Sequence, residues 1–150
     1  MSARRVRSLN YSLVTHRATA ALGVAFTVVH IVALLADNFV DIGWFEVLMP
    51  FATIWRPGPV AWGVAGLYLL VLVEATSLIR RHLPYIRWRR IHLNSYLLFA
   101  VITIHFLSAG TDVHRWVPQP VAVVSGALLL TAAGWAYVRA DRQADPTRAG

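Results

Sequence analysis

Four histidines set in apolar stretches have the residue type and the spacing to do chemistry. His16 and His30 stand 14 residues apart, and His92 and His105 stand 13 apart. Each pair falls in a run long enough to cross a bilayer, where an ionisable side chain is costly and marks a functional position by default. Neutral imidazole is a good ligand for iron, and two imidazoles fill both axial positions of a haem. That arrangement disfavours oxygen activation at the metal and favours simple electron transfer. The pattern predicts haem clamped between two helices, one macrocycle at each level of histidines.

The helices must bring those histidines to matching depths. Four apolar segments, at 14–36, 60–79, 91–109 and 121–138, approach the roughly 20 residues that cross about 30 Å of hydrocarbon. The first and third are separated by one return crossing, so they run parallel. His16 and His92 then share one level, and His30 and His105 share another roughly 20 Å away. In the first segment His16, Gly23 and His30 follow a strict seven-residue step and share a face. Gly23 leaves a gap midway along that face, wide enough for a macrocycle edge or for close helix packing. In the third segment an ideal helix swings His105 about 140° away from His92. A local 3₁₀ tightening, a helix tilt or laterally offset cofactors must absorb this.

Composition and charge agree with a membrane setting. Of 150 residues, 57% are hydrophobic and only 14% charged, too apolar for an ordinary soluble domain. The absence of cysteine excludes thiolate-ligated zinc, iron–sulfur clusters, a thiolate nucleophile and covalent c-type haem. No carboxylate pair, Ser/His/Asp set or HExxH spacing is present, so no catalytic residue is assigned. The net charge of +7 comes from 14 basic residues, all arginine. They sit in short runs between apolar segments, which speaks for topology and against nucleic acid. Arg4, Arg5, Arg7 and Arg17 precede or open the first segment; Arg80, Arg81, Arg87, Arg89 and Arg90 lie between the second and third. Arg139, Arg142 and Arg148 follow the fourth, against only Arg56 and Arg115 in the other two loops.

The expected architecture is an all-α, multi-pass protein of the cell membrane, with four transmembrane helices in a bundle and both termini cytoplasmic. A basic cytoplasmic N-terminus at 1–13 leads into a haem-binding membrane domain at 14–139, and a disordered cytoplasmic tail follows at 140–150. The run after the basic start is long enough to span, so it reads as a retained helix and not a cleaved signal. The aromatic loop at 37–59 predicts a short interfacial helix that anchors the fold. Arg17, Arg89 and Arg90, beside His16 and His92, are natural counter-charges for the propionates of an inner haem. Glu74 reads as a carboxylate snorkelling to Arg80 and Arg81, ahead of a proton relay. His82 and His114 read as solvated loop residues.

The same residues carry a family resemblance. His16-Arg17 is followed by His30, then by LMPF and WRP within 48–57, TSLIRRHLP at 76–84, WRRIHLNSY at 88–96 and HFLSAGTD at 105–112. Over about residues 15–112 the chain resembles the ferric reductase-like transmembrane domain family. That family is the haem-bearing membrane core of ferric reductases, NADPH oxidases and the haem subunit serving a periplasmic methionine sulfoxide reductase. The resemblance implies two b-type haems, one on His16 with His92 and one on His30 with His105. It further implies electron transfer from a cytoplasmic or membrane donor to an outer acceptor. The family's core commonly has a further helix before the first histidine helix, and its reductases add a flavin and nicotinamide domain; neither pattern is found in this sequence. The expectation is therefore an electron-transfer membrane subunit in contact with lipid. Flavin would be reached only through a separate reductase partner, and an extra helix would come from a partner or a second copy. The alternative is a haem-free scaffold or assembly protein of the same fold.

Overall fold

A computed structural model describes residues 3–38 and 40–110, together with positions 120, 123–127 and 131. All regular structure among these residues is helical. The chain divides into two compact units, Met1–Ile102 and Thr103–Gly150.

The first helix, α1, runs over Ala3–Ala36. It begins well before residue 14, where the apolar segment starts, because no proline or glycine interrupts the basic stretch in front of it. Threonine hydroxyls along α1 turn back on the backbone. Thr15 Oγ1 donates to Tyr11 O, Thr19 Oγ1 to His16 O and Thr27 Oγ1 to Gly23 O, each at 2.9 Å. Such bonds satisfy groups that hydrocarbon would leave unpaired.

The aromatic loop contains the expected short helix, α2 (Trp44–Leu48). Glu46 Oε2 accepts the Gly43 N–H at 2.8 Å and so holds its first turn. The next helix, α3, spans Pro57–Leu78. Pro57 at its start has a fixed φ and lacks an N–H that would have had no partner there. Tyr68 on α3 donates its hydroxyl to the Leu48 carbonyl, tying the end of α2 to α3. Val40, Ile42 and Val47 are buried together, and Ile31, Leu34, Leu35, Trp55 and Leu67 pack on them. This cluster fastens the Ala36 end of α1 against α3.

From α3 the chain reverses through a 3₁₀ turn at Arg80–His82 into α4 (Tyr85–His92). A connection this short makes the two helices antiparallel neighbours. The last helix, α5, covers Asn94–Ala109. The single helix expected through this region is thus interrupted at Leu93, where the Tyr96 N–H bonds to Leu93 O at 3.2 Å. This three-residue step winds more tightly than an α-helical one.

Gly66 is buried on α3 at its approach to α5, where an added Cβ would stand 3.0 Å from Ile102 Cγ2 and 3.6 Å from Val101 Cγ1. Close approach at a small residue is a common way for membrane helices to pack.

Among the described residues three stretches are long and apolar enough to cross a membrane: Leu13–Ala36, Pro57–Leu78 and Tyr85–Ala109. At about 1.5 Å per residue each exceeds the roughly 30 Å of a hydrocarbon core. The fourth span expected at 121–138 lies mostly outside the described residues, although 123–127 are helical. His114 and the tail from 140 onward lie outside them as well.

Candidate functional site

The structure brings His16 of α1 to His92 at the end of α4. Their ring centroids are 6.0 Å apart and their planes are 79° from parallel. Two residues remote in sequence but matched in expected depth thus face each other across two helices.

His92 is braced on several sides. Trp88, one turn earlier on α4, stacks on the imidazole with centroids 5.0 Å apart and planes 22° from parallel. The i, i+4 spacing on one helix puts the two rings on the same face. Tyr85 continues the row at 6.1 Å from Trp88. The Arg80 guanidinium, delivered by the 3₁₀ turn, lies 5.1 Å over the Trp88 ring, a cation–π contact that pins the indole. On α3, Ser77 Oγ stands 3.4 Å from His92 Nδ1 and donates to Val73 O at 2.7 Å. Trp88 Nε1 is buried with no hydrogen-bond partner among the described residues.

His16 has a different setting. It is exposed on α1, as are its neighbour Arg17 and the residues around it. Arg89 and Arg90 are exposed beside His92. Gly23 is open: an added Cβ there meets nothing within 4 Å. His30 is exposed on α1 in the first unit. His105 is half-buried on α5 in the second unit, where its carbonyl accepts from Ser108 Oγ at 3.3 Å. His82 is exposed in the 3₁₀ turn. Glu74 lines a cleft of about 150 Å³ between α1 and α3 with Val24, Thr27, Ile31, Leu67 and Leu70. Among the described residues no group of three or more His, Cys, Asp or Glu gathers to hold a metal ion.

Sequence reasoning missed three residues of this site: Ser77, Arg80 as a stacking partner, and Trp88. Trp88 was within reach, since it lies four residues before His92 on a helix. Ser77 and Arg80 carry no such signal, because their approach depends on how the chain reverses between α3 and α4.

Comparison with known proteins gives one match. The family model of the ferric reductase-like transmembrane component covers residues 2–103, which include His16, His30 and His92 and stop short of His105. No curated protein and no solved structure matches the chain. With more than half of its length matched and three helices of membrane-crossing length, this chain is a membrane protein of the ferric reductase-like transmembrane component family.

Proposed function

We propose that this protein is a membrane cytochrome b that passes electrons across the bilayer, holding one haem between His16 and His92 and a second between His30 and His105. The family suggests a membrane electron-transfer component; the two haems, the direction of transfer and the cytoplasmic placement of the arginine-rich ends are our reading. The approach of His16 to His92 carries it. The ring centroids of His16 and His92 are 6.0 Å apart, a gap in which one metal ion could be held by a nitrogen of each ring at about 2 Å. A porphyrin would supply the other iron ligands, so two histidines would suffice, and among the described residues no larger cluster gathers.

The remaining residues fit such a group. Trp88 Nε1 is a buried donor with no acceptor among the described residues, and Arg17, Arg80, Arg89 and Arg90 surround the site in sequence with positive charge suited to propionates. Iron bound there would supply one-electron chemistry with both axial positions occupied. The chain's own part is to bring the two imidazoles together and to orient His92 through Trp88 and Ser77. The exposed aromatic residues Trp44, Phe45 and Phe51 support α2 as an anchor at the outer interface. The donor is a separate reductase or a membrane electron carrier, and the acceptor lies outside.

A reduced-minus-oxidised spectrum of the purified protein, expressed with haem supplied, tests the reading. Bands of a b-type cytochrome are expected, with the haem-to-protein ratio falling by one haem in His92→Ala and in His105→Ala. Absence of those bands overturns the assignment and leaves a haem-free scaffold of the same fold.

A further inference from the structure

We infer that Ser77 is a positioning residue for His92: its hydroxyl selects the imidazole tautomer that carries hydrogen on Nδ1 and leaves Nε2 free to bind iron. The inference rests on the haem reading above for its consequence, but the tautomer itself is a property of the haem-free chain.

The argument is one of proton bookkeeping at a single oxygen. A serine hydroxyl has one hydrogen to donate and two lone pairs to accept with. Ser77 Oγ lies 2.7 Å from Val73 O, a carbonyl that can only accept. Its one hydrogen is therefore committed along α3, the back-bonding that serines adopt inside helices. The same oxygen lies 3.4 Å from His92 Nδ1. Toward the imidazole it has only lone pairs left, so the contact is made by Nδ1–H donating to Ser77. A neutral imidazole with hydrogen on Nδ1 has its lone pair on Nε2.

Two further contacts hold the plane of the ring and leave the choice of flip to Ser77. Trp88 stacks on the imidazole at 5.0 Å, and the Arg80 guanidinium lies over the indole at 5.1 Å. Flipping His92 about χ2 would break the Ser77 contact without disturbing the stack, so Ser77 discriminates between the two flips and Trp88 does not. Hydrogen bonds of this kind on the nitrogen remote from a metal orient the ligand and raise its basicity.

The test uses the full chain in detergent. In haem-free protein with ¹⁵N-labelled histidine, above the pH range where imidazole protonates, the His92 signals are assigned by their loss in His92→Ala. A single Nδ1–H form is expected in the native chain, a mixture of both tautomers in Ser77→Ala, and the single form again in Ser77→Thr, which keeps the hydroxyl. In haem-loaded protein, Ser77→Ala should weaken haem retention at this site about 10-fold, the low end of the effect for such partners. It should also raise the midpoint potential of that haem, while Ser77→Thr restores both. An Nε2–H form in the native chain, or the same tautomer in Ser77→Ala as in the native chain, overturns the proposal. Missing cytochrome bands in the native protein would sink the haem reading and leave the tautomer result standing by itself.

Discussion

His16 and His92 face each other across 6.0 Å, yet the two are held in opposite ways. His92 is gripped by Trp88, by Arg80 through that indole, and by Ser77. It belongs to the packed side of the first unit, where Val64, Gly66, Val73 and Val101 are buried. His16 stands on the membrane-length part of α1, a helix on which no described residue is buried. A shared site thus has one jaw set by side-chain contacts and one set only by where its helix runs. The difference teaches that orientation is built into the α3–α4 side, and reach is supplied by α1.

The strongest way to break this contrast is to remove each jaw. His92→Ala and His16→Ala should each cost one haem, read as haem per protein. Added imidazole should rescue His92→Ala at a concentration about 10-fold lower, because Trp88 and Ser77 still form a seat for the ring; the factor corresponds to about 1.4 kcal/mol. Equal rescue of both variants would show that the bracing contributes nothing to ligand placement.

A smaller effect is expected from glycine. Gly66→Ala puts a Cβ 3.0 Å from Ile102 Cγ2, and that exposed side chain must give by a few tenths of an ångström, so thermal stability in detergent should fall by no more than the low end of the overpacking cost, about 1 kcal/mol. Gly23→Ala meets open space and should gain up to about 1 kcal/mol from reduced backbone freedom, read as a rise in melting temperature of the haem-free chain. If the two variants respond alike, the packed and bare sides are not as different as their neighbours indicate.

Trp88→Leu should weaken haem binding at the His16 level by the value of one aromatic pair, about 0.5–1.5 kcal/mol, measured by haem titration. Tyr68→Phe should have the smallest effect. It removes one hydroxyl bond to the Leu48 carbonyl, worth about 0.6 kcal/mol on average between membrane helices, and should lower the melting temperature slightly without moving the spectrum.

Much of this is written in residue types. Imidazoles in apolar runs are rare enough to announce themselves, and helices of membrane length follow from the runs that carry them. The aromatic stretch before Pro50 was also legible as a short helix, since it is too short to span and too apolar to be free coil. A local tightening was one of three ways of absorbing the 13-residue step, beside a helix tilt and laterally offset cofactors, and nothing in the residue types marks Leu93 as the place of a break. The arginines show a different limit. Arg17, Arg89 and Arg90 earn notice by standing next to histidines, whereas Arg80, 12 positions from His92, gives no such sign and lies over the Trp88 ring that stacks on His92. Proximity along the chain is a poor guide when a reversal such as 79–84 folds distant residues onto one another. The first start of α1 at Ala3 was likewise hidden, since helix propensity continues past the point where hydropathy ends.

The cluster of Val40, Ile42 and Val47 clasps α1 near Ile31, Leu34 and Leu35, some 15 residues from His16. At about 1.5 Å per residue that is a lever arm of about 22 Å. A swing of about 3° at the clasp would displace the imidazole by about 1 Å, the order of misplacement that can cost a hundredfold in a reacting geometry. Lateral pressure and thickness of the surrounding lipid would then act on the gap between the two imidazoles as a hand acts on the long handle of a pair of tongs.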